Sequence, residues 1–514
     1  MKYLATLISK EDRIKRYIDE MNAIETIYEY GGRLPASLNN MEKIHKDIGN
    51  LDSIRKKILS IIELLPLNES MNKERKDLVI IRKALKKLED EAKTQEIKEL
   101  VSREEQLVGQ YYEVYQKVYE GLGKISGKSS ERDPWLEKTA FVLTFGNEIN
   151  NTMNELIQVR NKLATKKGYM SFQSYCEATQ DRTSFEKGEF DDWKEALSNS
   201  LIPVIQRLYR RNADKLGHEC VYPWKLDELE LLDFAEEIDA TEYVQEIIES
   251  IADFDQSFSN YVKDLWEEGF IDLGRRAGKV DFGYCLELPF SRKSYVSIFP
   301  TGTIFDVFYL IHELGHVFHY YCKKDLPHSS MRNCNNEINE LAAHVFEITL
   351  IFHMFQKSPK ILRTYMSQLV ISIPFNIAVH EFQEELYKNE HQLEESKEIL
   401  FFTILKKYTH CTVETRGYEK GVASIWLLNE QVFSSPYYYL EYSFAKLSAI
   451  HYIGVMLRET KKLEFKEKFR QILKIGNKLH NRDIFKKAVG SSLLLGKSEL
   501  EYLSKFVENI LNIE

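Results

Sequence analysis

The chain is poor in cysteine and proline, and it has no long apolar run. Its 514 residues include six cysteines and 11 prolines. The cysteines show no paired Cys-x-x-Cys spacing, so we expect reduced thiols. No apolar run approaches the roughly 20 residues of a transmembrane helix. The first residues lack the apolar core and cleavage site of a secretory signal. These absences predict a cytoplasmic protein.

The chain also has fewer basic than acidic residues, which limits the kinds of partner that it can bind. Acidic residues outnumber basic ones by 79 to 70, and the net charge is −9. We therefore expect neither nucleic acid nor a membrane surface as a partner. The hydrophobic fraction of 43% is that of an ordinary globular protein. Because 514 residues exceed one usual hydrophobic core, we expect two lobes.

Helical periodicity dominates the chain. Apolar residues recur at three- and four-residue steps, which predicts long helices, in the N-terminal part over residues 10–30, 38–64, 70–93 and 95–122. A stretch rich in glycine and serine follows the last of these and indicates a linker. The predicted division is a helical lobe over residues 1–123, a linker over 124–134 and a second domain over 135–514.

Residues 312–316 read His-Glu-Leu-Gly-His. On a helix, positions four apart share a face, so His312 and His316 can present two imidazole nitrogens to one ion. Glu313 can reach a water molecule at the open position of that ion. The surrounding residues are mostly apolar, and buried imidazoles without a partner are costly. The motif therefore predicts a hydrolytic site with one zinc ion.

A third ligand is expected on the next helix. A second helical pattern begins near residue 335 and places Glu337, Glu340, His344 and Glu347 on one face. A carboxylate on a neighbouring antiparallel helix usually completes such a site. Spacing alone does not decide between Glu337 and Glu340.

These residues resemble the thimet oligopeptidase and oligoendopeptidase F family of zinc peptidases. Members pair His-Glu-x-Gly-His, often with a further histidine three residues on, with a glutamate on the next helix. In the oligoendopeptidase F branch that helix reads Glu-x-Ala-Ser, and Glu340-Leu-Ala-Ala343 fits it. The resemblance implies Glu340 as the third ligand, with Glu337 as the fallback. It gives His319 a supporting place near the metal.

The resemblance extends upstream of the motif. Residues 283–285, 297–299 and 301–303, followed by Asp306, resemble the segment that the family places before its zinc helix. There a small β-sheet edges the cleft and holds the peptide substrate as an added strand. The resemblance implies that residues 294–303 hold the substrate backbone. It also implies four substrate-binding residues, which are Gly283, Tyr284, Gly302 and Thr303. A segment from Arg160 to Tyr169 resembles the family as well, so the match covers roughly residues 135–460.

The C-terminal third contains a cluster of tyrosines. Phenolic hydroxyls can donate hydrogen bonds to the oxyanion of peptide hydrolysis, although clustered tyrosines are more often packing residues. The family carries a Tyr-x-x-Tyr pair that faces the substrate, which implies Tyr439 and Tyr442 as catalytic residues and Tyr438 as a substrate contact. One departure concerns the histidine that members carry shortly before these tyrosines. Residues 431–435 here read Gln-Val-Phe-Ser-Ser.

The expected fold is mainly α, with two helical lobes around a deep substrate channel and a small β-sheet beside the zinc-binding helices. The expected function is zinc-dependent endopeptidase activity on short unstructured peptides. Glu313 would take a proton from the attacking water and pass it to the leaving amine. One alternative is a zinc carboxypeptidase, which needs a basic side chain to bind the substrate C-terminus. Another is a helical peptide-binding protein that is catalytically weak but keeps the metal site.

Overall fold

A computed structural model describes most of the chain. The described residues are 2–35, 50–65, 73–91, 95–126, 131–180, 188–217, 221–225, 237–388, 396–409, 413–458, 481–492 and 494–513, together with 467, 470, 473, 474 and 476. Within them, no helix combines the length and the apolar character that crossing a bilayer requires. The cysteines at 176, 285, 322 and 334 are free thiols, and those at 220 and 411 lie outside the described residues.

The elements are mostly helices. The first part of the chain contains α1 Lys2–Glu29, α2 Leu51–Glu63, α3 Lys73–Glu91, α4 Gln95–Leu122, α5 Arg132–Thr144, α6 Gly146–Lys166, α7 Phe172–Thr179, α8 Glu189–Lys215, α9 Val244–Ala252 and α10 Gln256–Glu267. The middle part contains β1 Ile271–Asp272, β2 Tyr284–Leu288, β3 Lys293–Ser297, α11 Ile304–Lys323, α12 Ser329–Arg332 and α13 Asn336–Met354. The last part contains α14 Pro359–Ile371, α15 Ile373–Lys388, α16 Lys397–Thr409, α17 Glu419–Ala423, α18 Glu430–Ser434, α19 Tyr439–Arg458, α20 Asn481–Val489 and α21 Lys497–Leu511. The predicted fold class, mainly α with a small sheet, is confirmed.

The chain forms two compact units, each built from three separate segments. The first unit contains residues 1–91, 234–358 and 448–491, and the second contains residues 92–233, 359–447 and 492–514. The predicted linker over residues 124–134 lies within the second unit. The division at 1–123 and 135–514 stays a prediction, as does the substrate channel.

The sheet belongs to the first unit, and its strand order is β1-β3-β2. β3 pairs in parallel with β1, with Ile271 opposite Val296. It pairs in antiparallel fashion with β2, with Tyr284 opposite Ser297 and Leu288 opposite Lys293. β3 is therefore the central strand, and β2 lies at one edge. Both strands contact α11, the helix that carries the motif.

Two helices of the first unit approach each other closely at a glycine. Gly315 in α11 faces Ala343 in α13, and a Cβ atom built on Gly315 would lie 2.6 Å from the Cα atom of Ala343 and 2.8 Å from its carbonyl oxygen. Such distances leave no room for a side chain. The glycine of the motif is thus required by the packing of the two helices, and this packing brings their inner faces together.

We expect Gly315→Ala to lower the free energy of unfolding by about 1–3 kcal/mol, because the new methyl group must force the two backbones apart. Thermal unfolding followed by circular dichroism measures the effect. Gly109, an exposed glycine in α4, has no atom within 4 Å of an added Cβ. Gly109→Ala should therefore raise stability slightly, because alanine favours the helix. An unchanged melting temperature for Gly315→Ala would contradict the close approach.

Candidate metal centre

The motif helix α11 and helix α13 bring three predicted ligands together. The rings of His312 and His316 lie 4.9 Å apart between centroids and are perpendicular. Glu340 faces both of them from α13. Its Oε2 atom lies 3.5 Å from Nε2 of His312, and its Oε1 atom lies 3.8 Å from Nε2 of His316. All three residues offer a ligand atom within 4.8 Å of the others.

This donor set fits a zinc ion. Two imidazole nitrogens and one carboxylate oxygen form the His₂Glu set of hydrolytic zinc sites. The two nitrogen–oxygen distances are at or beyond the limit of a hydrogen bond. They are close to the edge of a tetrahedron with zinc–ligand bonds of 2.0–2.1 Å, which is about 3.3 Å. The spacing therefore suits a shared cation better than direct contact.

The charges of the three residues are consistent with metal binding. Burial alone would raise the pKa of Glu340, but His316 and His312 outweigh it and lower that pKa to about 2. Burial lowers the pKa of His316 to about 4, so this imidazole is neutral near pH 7. Burial alone would also lower the pKa of His312, but Glu340 and Glu347 raise it well above its ordinary value. A metal that binds there must displace a proton from His312.

Glu313 lies next to the three residues and is 8% exposed. Burial, together with the charges of Glu340 and Glu347, raises its pKa to about 7, although His312 acts in the opposite direction. A carboxylate with a pKa near the working pH is suited to accept and return a proton. Gly283, the residue before β2, adjoins it: a Cβ on Gly283 would lie 2.8 Å from Cδ1 of Ile298 and 3.5 Å from Oε1 of Glu313.

The other two candidates of the sequence do not join these ligands. Glu337 and His319 belong to neither of the two metal-capable groups found among the described residues. Both side chains are buried. Burial lowers the pKa of His319 well below its ordinary value, so its ring is neutral. In the described part of the chain, its Nε2 atom has no hydrogen-bond partner.

Two further residues, His344 and Glu347, contact the site, and the sequence alone assigned no role to either of them. Oε2 of Glu347 lies 3.0 Å from Nδ1 of His312 and 2.9 Å from Nδ1 of His344. These three residues form the second metal-capable group. The sequence feature that could have indicated a role is the position of His344 and Glu347 on the ligand face of α13. Glu347 follows Glu340 by two helical turns.

The loop before α11 is held by Asp306. Its Oδ1 atom accepts hydrogen bonds from the backbone N–H and the hydroxyl of Thr301, at 2.9 and 2.8 Å. Its Oδ2 atom accepts from the backbone N–H of Gly302 at 2.8 Å. Gly302 has φ +82°, a conformation that glycine adopts without strain. Asp306 thus fixes the shape of the predicted substrate loop, which includes Thr303, the N-cap of α11.

The sheet changes one expectation of the sequence. β3 pairs with β2 along its length and with β1 at Val296 and Ser297. These two residues have no free edge for an added strand, and substrate binding by the rest of residues 294–303 stays a prediction. Among the described residues, β2 pairs only with β3, so its other edge has no strand partner. The ring of Tyr284 on β2 packs 5.2 Å from that of Tyr30. Its ring is therefore engaged in packing, and a role of Tyr284 in substrate binding stays a prediction.

Tyr438, Tyr439 and Tyr442 belong to the second unit, in its segment of residues 359–447. The rings of Tyr438 and Tyr442 pack edge to face at 4.8 Å, and that of Tyr439 lies 6.5 Å from Tyr442. Burial raises the pKa of Tyr439 to about 12, although the Asn429 side chain acts in the opposite direction. A role for these residues at the metal site stays a prediction.

Residues 431–434, in the segment where the family's histidine is missing or replaced, belong to the packed helix α18. Phe433 in α18 stacks on Tyr111 at 3.8 Å. The buried guanidinium of Arg160 donates to the Phe433 carbonyl, to the Tyr387 hydroxyl at 2.8 Å and to Glu104 at 2.7 Å. The segment around Arg160 that resembles the family therefore holds the residues just before the tyrosines.

Comparisons with known proteins agree with this fold. PZ peptidase A, solved with an inhibitor, superposes with a TM-score of 0.71 at 16% identity, covering 97% of each chain. A candidate oligoendopeptidase F gives a TM-score of 0.74 at 17% identity, covering 97% of this chain and 90% of the other. Another candidate oligoendopeptidase F, from Bacillus anthracis strain Ames, gives 0.68 at 17% identity, covering 97% and 96%. At such identities the likeness shows a shared fold.

Among curated proteins, no sequence matches this chain significantly. The model of one family, described as Peptidase family M3, matches residues 135–495. This match includes the motif, Glu340 and the tyrosines, and it spans more than half of the chain. The protein therefore belongs to peptidase family M3.

Proposed function

We propose that this protein is a zinc-dependent endopeptidase that hydrolyses short, unstructured peptides. The observation that carries the proposal is the meeting of His312, His316 and Glu340 beside the buried Glu313. These residues meet in a chain that belongs to a peptidase family. Metal ligands with an adjacent carboxylate base are the residues that peptide hydrolysis by activated water requires.

The side chains of His312, His316 and Glu340 would hold the zinc ion. When bound, zinc lowers the pKa of water to about 7 and polarises a carbonyl group. Glu313 would take a proton from the attacking water and deliver it to the leaving amine. Its burial supports this role, because a pKa near 7 lets the same carboxyl group accept and release a proton close to neutral pH.

A substrate would be bound through its backbone at the outer edge of β2. Strand addition requires an extended peptide, which accounts for a preference for unstructured substrates. Gly283 has no side chain, so a substrate at this edge could approach Glu313. The loop of residues 301–303, held by Asp306, is the second proposed contact. Two roles rest on the family resemblance. Tyr439 and Tyr442 would donate hydrogen bonds to the oxyanion, and Tyr438 would contact the substrate.

We expect Glu313→Gln to retain zinc and to lose peptidase activity by about 10²–10⁴-fold, because the amide cannot accept the proton. Zinc content by elemental analysis and turnover of a fluorogenic peptide measure the two effects. Glu246→Gln, an exposed glutamate in α9, is the matched control and should keep full activity. Normal turnover by Glu313→Gln would refute the assignment of the base.

We expect Glu340→Ala to lose zinc, because a site of two histidines alone binds the ion weakly. The measurement is zinc content after dialysis against metal-free buffer. Glu337→Ala removes a buried carboxylate from the same helix and should retain the metal. The reverse result, with zinc retained by Glu340→Ala and lost by Glu337→Ala, would make Glu337 the ligand.

An end-blocked peptide separates an endopeptidase from a carboxypeptidase. We expect cleavage inside a peptide with an acetylated N-terminus and an amidated C-terminus, as seen by mass spectrometry of the products. Activity should disappear with a zinc chelator and return when zinc is added. Removal of C-terminal residues only from unblocked peptides would instead indicate a carboxypeptidase. Binding without cleavage would indicate a peptide-binding protein.

A further inference from the structure

One carboxylate oxygen contacts two imidazole rings beside the proposed ligands. Oε2 of Glu347 lies at hydrogen-bond distance from Nδ1 of both His312 and His344. The Glu347 side chain is 7% exposed and that of His344 is 4% exposed. The two rings lie 4.7 Å apart between centroids. The contacts are therefore buried, short and directed at the same atom.

The contact with Glu347 decides which nitrogen of His312 is available. An ionised carboxylate can only accept hydrogen bonds, so His312 donates from Nδ1. When the ring is neutral, its lone pair therefore lies on Nε2, which is the atom that faces Glu340 at 3.5 Å. Without an acceptor at Nδ1, the proton could reside on Nε2 and the ring could turn. A fixed acceptor thus orients the ring for a metal.

His344 supports Glu347 from the same helix. It precedes Glu347 by three residues, a spacing that places both side chains on one face. A buried carboxylate is costly unless hydrogen bonds satisfy it. The N–H group of His344 provides such a bond at 2.9 Å. It also limits the side-chain rotamers that Glu347 can adopt.

We propose that Glu347 is a positioning residue for the metal ligand His312, and that His344 acts on the metal only through Glu347. The proposal rests on the zinc site proposed above and adds two residues to it. It predicts that both residues affect zinc affinity even though neither of them binds the ion.

A different assignment of the same residues would be a second metal site. His312, His344 and Glu347 are close enough to share an ion. His312 would then have to bind two ions, one through each nitrogen, and would lose both ring protons. One ion per chain is therefore the stoichiometry that our proposal requires.

The test is zinc affinity of the full-length protein, measured by competition with a chelator of known affinity. We expect Glu347→Ala to bind zinc about 10–100-fold more weakly than the parent. Glu347→Gln should recover part of the loss, because its amide oxygen still accepts a hydrogen bond. If the alanine variant does not fold, the Gln variant alone should show weakened binding.

The matched control is Glu20→Ala. Glu20 is a fully buried carboxylate in the same unit, and it accepts hydrogen bonds from Ser291 instead of a histidine. Both alanine variants should lower the melting temperature, but only Glu347→Ala should change zinc affinity. This comparison separates a positioning role from a general loss of stability.

A double-mutant cycle tests the role of His344. We expect His344→Leu to weaken zinc binding several-fold in the parent and to have no further effect in Glu347→Ala, since His344 acts through the missing carboxylate. Losses of zinc affinity that add independently in the double variant would overturn the role assigned to His344. Parent-like zinc affinity in Glu347→Ala and Glu347→Gln would overturn the whole proposal. So would two zinc ions in the parent that fall to one in these variants.

These outcomes are distinct from failure of the proposed function. Zinc affinity is measured without a substrate, so a parent that binds zinc tightly but cleaves no peptide would count against the endopeptidase assignment alone. A parent that binds no zinc would overturn both.

Discussion

The close approach of two helices at Gly315 and Ala343 is the constraint on which the candidate site depends. Two histidines on one face of a helix are a local feature, but a third ligand must come from another element. The missing side chain at Gly315 lets the backbones approach until Ala343 fills the gap. At that separation Glu340 lies within 4 Å of both imidazoles. A wider spacing would leave the histidines without their carboxylate.

The same closeness creates an electrostatic cost that the site must offset. Several ionisable side chains are buried within two neighbouring helices, where water cannot solvate them. The structure alternates acidic and basic groups, so that His312 lies between Glu340 and Glu347. Glu313 stands beside this arrangement, and burial raises its pKa, whereas the histidines outweigh burial at Glu340 and lower that pKa. Two carboxylates of one site thus acquire different protonation behaviour from their surroundings alone.

Local patterns allowed much of the fold and part of the site to be predicted. Helix α4 has the bounds that periodicity gives, and α13 begins one residue from the predicted start. The motif and Glu340 could be found because their spacing on helices decides which side chains share a face. The described part of α2 begins at Leu51, and residues 38–49 of the predicted helix over 38–64 lie outside the described residues.

Features that depend on distant pairing could not be predicted. The central position of β3 follows from its pairing with Ile271 and Asp272, two residues that show no strand pattern of their own. The sequence shows Glu347 on a polar face, but only the packing of α11 against α13 reveals that it contacts His312. The assembly of each unit from three segments is also invisible to periodicity, since each segment contains ordinary helices.

That assembly has a consequence for the order in which the protein is made. The first unit needs residues 1–91, 234–358 and 448–491. Helix α1 contacts β2 and α12, and Asp12 pairs with Arg332 at 2.7 Å. During synthesis, these two contacts of α1 must therefore wait for residues that emerge more than 200 positions later. Contacts so far apart in sequence close slowly. Helix α1 can pack its apolar face against α2 and α3 in the meantime, but the ion pair of Asp12 with Arg332 forms only after both histidine ligands have been translated.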